Sequence, residues 1–214
     1  MKLTGKLLRY FALPWVLTLS IFTLWDYLRL HPHTGYLHIK QFAVDTGFYL
    51  PFFYAHVIGS STILLVGFFQ FSKTVYTRRK LHRILGKIYI LGVLFFAAPG
   101  AYLMTFFIHR GDGVLASFFI QNTLWVATTF LAWRYALYGK IPNHVRMMRR
   151  SYGLAFAAVT LRFYIWLFTV LGNGVNFEHN YLIIAFLSWV PNLILVELIN
   201  RYDKGNIFNP STSR

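Results

Sequence analysis

Arg162 lies in the middle of a long apolar run, where a guanidinium has few uses. It can hold an anion, a cofactor carboxylate or a quinone oxygen. It can also tie main-chain carbonyls, Asn192 or Gln121 inside a helical bundle. Arg162 follows Ser151 by 11 positions, which is about 16 Å of helix and near mid-bilayer. A charge there costs about 2.5–3.5 kcal/mol on insertion scales, so it is expected to face the bundle interior. The spacing agrees, because Ser151, Ala155, Ala158 and Arg162 recur at helical steps on one face. Small residues on that face would let a neighbouring helix come close.

Three histidines add imidazole chemistry. His56 falls within an apolar run, on a face shared with Ser60, Gly67 and Gln70. It is a candidate for ligation or proton handling, set against a hydrogen-bonded packing role. His82, Gly86 and Tyr89 share a helical face beside Arg79 and Arg83. A second basic cluster holds His144, Arg146, Arg149, Arg150 and Ser151. His82 and His144 are expected at similar depth, where two neutral imidazoles could bind a metal or the iron of a b-type haem. The simpler account is a basic belt against anionic lipid headgroups, and it is the favoured one. On the opposite side, His31, His33, His38, His109 and His179 stand near Asp26, Asp45, Asp112 and Glu178. Imidazole with carboxylate suits zinc or another divalent metal, although the spacing fits no familiar zinc motif.

The elements that must position these residues are membrane spans. Of the 214 residues 57% are hydrophobic and 13% charged, with a mean hydropathy of +0.50. A soluble domain carries about 25% charged residues. Six apolar stretches are long enough to cross a bilayer, near 7–25, 49–72, 84–107, 113–138, 151–171 and 181–200. The expected fold is therefore an all-α bundle of six transmembrane helices in one domain over 1–205, with a loose tail at 206–214. The basic N-terminus followed by an apolar run imitates a signal peptide, but no A-x-A-like site follows it, which favours an uncleaved first span.

Orientation follows from the basic residues. With the N-terminus inside, 17 of the 21 Lys and Arg fall on the inner side. Arg29, Lys40 and Arg110 fall outside, and Arg162 lies within a span. That asymmetry predicts both termini in the cytoplasm. It also accounts for the net charge of +15 without nucleic acid, because the charges cluster between the spans. Cysteine is absent, which excludes disulfides, thiolate chemistry and Cys-based metal sites. No H-E-x-x-H, P-loop, G-x-S-x-G or G-x-G-x-x-G motif occurs, so no hydrolase, nucleotide-binding or zinc-protease class is indicated.

Together these positions resemble a known family. The run His56-x-x-Gly59, Gly67, Gln70, then Arg79 with His82-Arg83-x-x-Gly86-x-x-Tyr89, is similar to a bacterial family of predicted membrane proteins. His144, Arg149, Ser151-Tyr152, Ala155 and Thr160-Leu161-Arg162 continue the likeness, which covers roughly 50–165. The family is defined only as a domain of unknown function. The resemblance implies a multi-pass protein of the bacterial inner membrane whose signature is these His and Arg positions. It supplies no reaction, and the outer loop with its three histidines is not part of the pattern.

Three functions compete at this point. The first is a redox-type bundle holding haem b or a quinone, with His56, His82, His144, Arg162, Gln121, Asn192 and Tyr89 as the binding residues. The second is a small-solute transporter using Arg162. The third is an assembly or structural subunit without chemistry of its own.

Overall fold

The computed structural model describes residues 2–108, 110–171 and 177–202, with side chains from residue 12 onward except 39, 73 and 177–179. No strand occurs among the described residues. Six long helices follow one another: α1 (Lys2–Tyr27), α2 (Tyr49–Gln70), α3 (Arg79–Phe106), α4 (Asp112–Leu137), α5 (Ile141–Leu171) and α6 (Asn180–Tyr202). Among the described residues five, α2 to α6, are long and apolar enough to cross a membrane. The expected first span, 7–25, falls on α1, whose side chains up to residue 11 lie outside the described residues. The expected tail at 206–214 lies outside them as well.

Two helices begin earlier than the apolar runs suggest. α3 starts at Arg79 rather than near 84, and α5 at Ile141 rather than near 151. In both, the opening turns are basic and amphipathic, so a count of apolar residues passes over them although the main chain is already helical. Pro142 sits in the first turn of α5, where a missing N–H costs nothing.

Three helices are interrupted. α3 contains a π turn at Val93–Ala97, just before Pro99. Proline has no N–H for the carbonyl four residues back and its ring crowds that carbonyl, so the ladder widens there. α6 has a break between Leu187 and Val190, ahead of Pro191. α5 breaks at Phe156 with no proline nearby. There the Gly153 carbonyl accepts a hydrogen bond from the Asn192 side-chain amide at 3.3 Å. A side chain bonded into the ladder is a sufficient cause of the interruption.

The contacts divide the chain into two compact units, residues 1–122 and 123–214. In the first, α2 packs on both α1 and α3. Leu37 and Ala43, from the 21-residue connection 28–48, are buried with Tyr49 and Phe53 under the end of these helices. Tyr36 N–H donates to the Tyr27 hydroxyl at 2.9 Å, and Lys40 Nζ donates to the Phe107 carbonyl at 3.0 Å. Burial, and then the charge of Arg110, hold the Lys40 ammonium below its ordinary pKa. In the second unit, Thr129 on α4 and Ser151 on α5 share a buried hydroxyl–hydroxyl bond of 2.7 Å. α5 and α6 are joined by Arg150 and Glu197, whose guanidinium and carboxylate meet at 2.5 and 2.8 Å.

Candidate functional site

The three helical histidines differ in what faces Nδ1. His56, half-buried on α2, has Nδ1 2.8 Å from the carbonyl of Ala97, the last residue of the π turn. Ser60 Oγ lies 3.4 Å from the same nitrogen. A carbonyl oxygen only accepts, so Nδ1 carries the proton and the neutral ring keeps its lone pair on Nε2. Gly100 makes this approach possible. A Cβ there would stand 2.4 Å from the Phe52 carbonyl oxygen and 2.9 Å from the His56 amide nitrogen. Both are main-chain atoms of α2 and cannot swing aside.

His144, near the start of α5, repeats the arrangement within the second unit. Its Nδ1 lies 2.8 Å from the carbonyl of Ala132 on α4. Here too Nδ1 donates and Nε2 holds the lone pair.

His82 is the reverse. The Gln70 amide nitrogen lies 2.9 Å from the His82 main-chain oxygen and 3.0 Å from its Nδ1. The carbonyl requires a donor, which fixes nitrogen rather than oxygen on that side of the amide. The His82 Nδ1 is then an acceptor and the proton sits on Nε2. Gln70 is 6% exposed, and its Oε1 is buried with no hydrogen-bond partner among the described residues. Gly86 leaves room for this amide, since a Cβ there would come within 3.2 Å of Gln70 Nε2. The Tyr76 ring meets His82 edge-on at 5.7 Å, and Tyr89 is fully buried.

Arg162 departs from expectation. Its side chain is exposed on the chain's surface rather than turned into the bundle, and Nη1 donates to the Ala158 carbonyl at 2.9 Å. The one-face argument assumed an unbroken helix. The break at Phe156 intervenes, so Ser151 is wholly buried while Arg162 is not. Asn192 is committed elsewhere, donating to the Ser188 carbonyl and Thr160 Oγ1, both at 3.0 Å, as well as to Gly153. Gln121 is half-buried on α4.

The outer histidine group lies partly outside the described residues, the side chain of His179 among them. His31, His33 and His38 are each exposed, and His109 lies outside the described residues. No group of three His, Asp or Glu side chains that could hold a metal occurs among the described residues. Two partners escaped the sequence reading. The Ala97 carbonyl has no residue-type signal, although Pro99-Gly100 marks the irregular turn beside it. The Arg150–Glu197 pair was legible in principle, because Glu197 is the single carboxylate within the last apolar stretch.

These features define an all-helical membrane protein with histidines set at the irregular points and basic ends of its helices. The chain belongs to the family described as Predicted membrane protein (DUF2306), whose model matches residues 53–200. The match runs beyond the stretch that carried the resemblance and takes in Asn192 and Glu197, while α1 and the connection bearing His31, His33 and His38 lie outside it. No curated protein and no solved structure matches the chain.

Proposed function

We propose that this chain is a multi-pass protein of the bacterial inner membrane, with six spans and both termini in the cytoplasm, that holds a b-type haem on His56 of the first unit or on His144 of the second. One observation carries the reading: both imidazoles donate Nδ1–H to a main-chain carbonyl at 2.8 Å. Metal-bound histidines are characteristically oriented in this way, with the second nitrogen pointing its lone pair at the metal. Such a nitrogen would hold the haem, which would supply one-electron chemistry when bound. His82 is assigned a different part, since its proton on Nε2 suits donation to an oxygen acceptor such as a quinone carbonyl. The basic residues between the spans meet anionic lipid headgroups.

The test is an absorption spectrum of the full chain, purified in detergent from haem-replete cells, before and after reduction. A Soret band that shifts on reduction is expected. It should be lost in whichever of His56→Ala and His144→Ala removes the ligand, and kept in His82→Ala. A chain without such a band would overturn the haem reading. Organic extraction would then decide whether a quinone is present, and its absence would return the question to transport or assembly.

A further inference from the structure

The basic end of the second unit carries a second kind of site. A groove of about 320 Å³ runs along α6, lined by Trp189, Leu193, Ile194, Glu197, Leu198 and Arg201. Its walls are almost wholly apolar apart from the two charged residues at one end. Glu197 is neutralised there by its two-point contact with Arg150. Arg201, exposed in the last turn of α6, is then the net charge at the mouth of the groove.

The surroundings add to that charge. Arg149 Nη1 donates to Asn200 Oδ1 at 3.3 Å, which holds a further guanidinium beside the last turn of α6. Asn200 in turn reaches the Arg146 carbonyl at 3.5 Å, fixing the start of α5 against the end of α6. Arg150 thus pairs with the one carboxylate, Arg149 with the Asn200 amide, and Arg201 ends the same helix. Trp189 to Arg201 spans 12 residues, about 18 Å of helix. That is enough to lay much of an acyl chain along the apolar part with a headgroup beside the guanidinium.

We infer that this groove binds an anionic phospholipid, its acyl chain against Leu193, Ile194 and Leu198 and its phosphate at Arg201. Charge complementarity selects this occupant. A zwitterionic lipid brings an ammonium against a surplus of guanidinium groups, and a second copy of a chain with net charge +15 brings like charge. The inference is independent of any cofactor.

The full chain, purified in a neutral detergent, would be mixed with equimolar phosphatidylglycerol and phosphatidylcholine, and the retained lipid read by native mass spectrometry. Preferential retention of phosphatidylglycerol is expected. Arg201→Gln should lower it about fivefold, the effect of one basic residue beside an anionic group, and Arg201→Lys should largely restore it. Ile194→Trp, which fills the groove while keeping the charge, should displace the lipid as well. Equal retention of the two lipids by the wild-type chain would overturn the inference. So would unchanged retention in both Arg201→Gln and Ile194→Trp. A dimer that survives delipidation and is lost in Ile194→Trp would assign the groove to a second copy instead.

Discussion

Each helical imidazole has a main-chain carbonyl or an amide nitrogen at Nδ1, and two glycines let those neighbours approach. Gly100 is the stricter of the two. A methyl group there meets main-chain atoms, so Gly100→Ala forces α3 away from α2 at an expected cost of about 1–3 kcal/mol. The thermal midpoint of the detergent-solubilised chain should fall accordingly, and an unchanged midpoint would contradict the close approach. At Gln70 the order of two variants is informative. Gln70→Leu removes two donated bonds, each worth about 1 kcal/mol, but also removes the buried, unpartnered Oε1. Gln70→Glu instead sets an oxygen against the His82 carbonyl. Stability should therefore fall from wild type to Leu to Glu; a Glu variant as stable as wild type would reverse the amide assignment and with it the tautomer of His82.

At the level of elements, interruptions do much of the positioning. The π turn before Pro99 presents the Ala97 carbonyl to His56, and the break at Phe156 separates Ser151 from Arg162. Asn192 supports that break by donating to carbonyls on both α5 and α6. Asn192→Leu leaves those acceptors without their side-chain donor and should cost about 1–3 kcal/mol, measured as a lower unfolding midpoint. The Arg150–Glu197 pair acts between the same two helices, with side chains 27% and 38% exposed. At that exposure its contribution is about 1 kcal/mol or less. In a double-mutant cycle, Glu197→Gln and Arg150→Gln should together cost less than the sum of the two single changes, and additivity would show the pair to be uncoupled.

For the whole molecule, the testable statement is its orientation. A reporter fused after Arg214 should be active only in its cytoplasmic form, and one placed in the connection between α1 and α2 only in its periplasmic form. Activity of a periplasm-dependent reporter at the C-terminus would remove one span from the count. Arg162 bears on the same scale. Being exposed, it contributes little to packing, so Arg162→Met should leave the unfolding midpoint within about 0.5 kcal/mol of wild type. A large loss would place its guanidinium in a structural network instead.

Membership of the membrane family and the succession of long helices were legible in the residues, because both depend on local quantities. Apolar length decides whether a helix can cross a bilayer, and the side on which Lys and Arg collect predicts its orientation. The interruptions beside Pro99 and Pro191 are of the same local kind, since a missing N–H acts on its own turn. The helices extend beyond the apolar stretches to Arg79 and Ile141, because basic opening turns are helical without being apolar. The rest was decided only by tertiary structure. The His56, His82 and His144 tautomers depend on a carbonyl or an amide supplied by another helix or a distant turn, and a carbonyl leaves no trace in residue type. Arg162 was assigned to the interior on the assumption of an unbroken helix. A hydrogen bond from Asn192, 39 positions beyond Gly153, accompanies the break that makes that assumption fail. Chemistry-bearing residue types can be read from the chain, but the atom each one offers is set by partners that only folding brings within 3 Å.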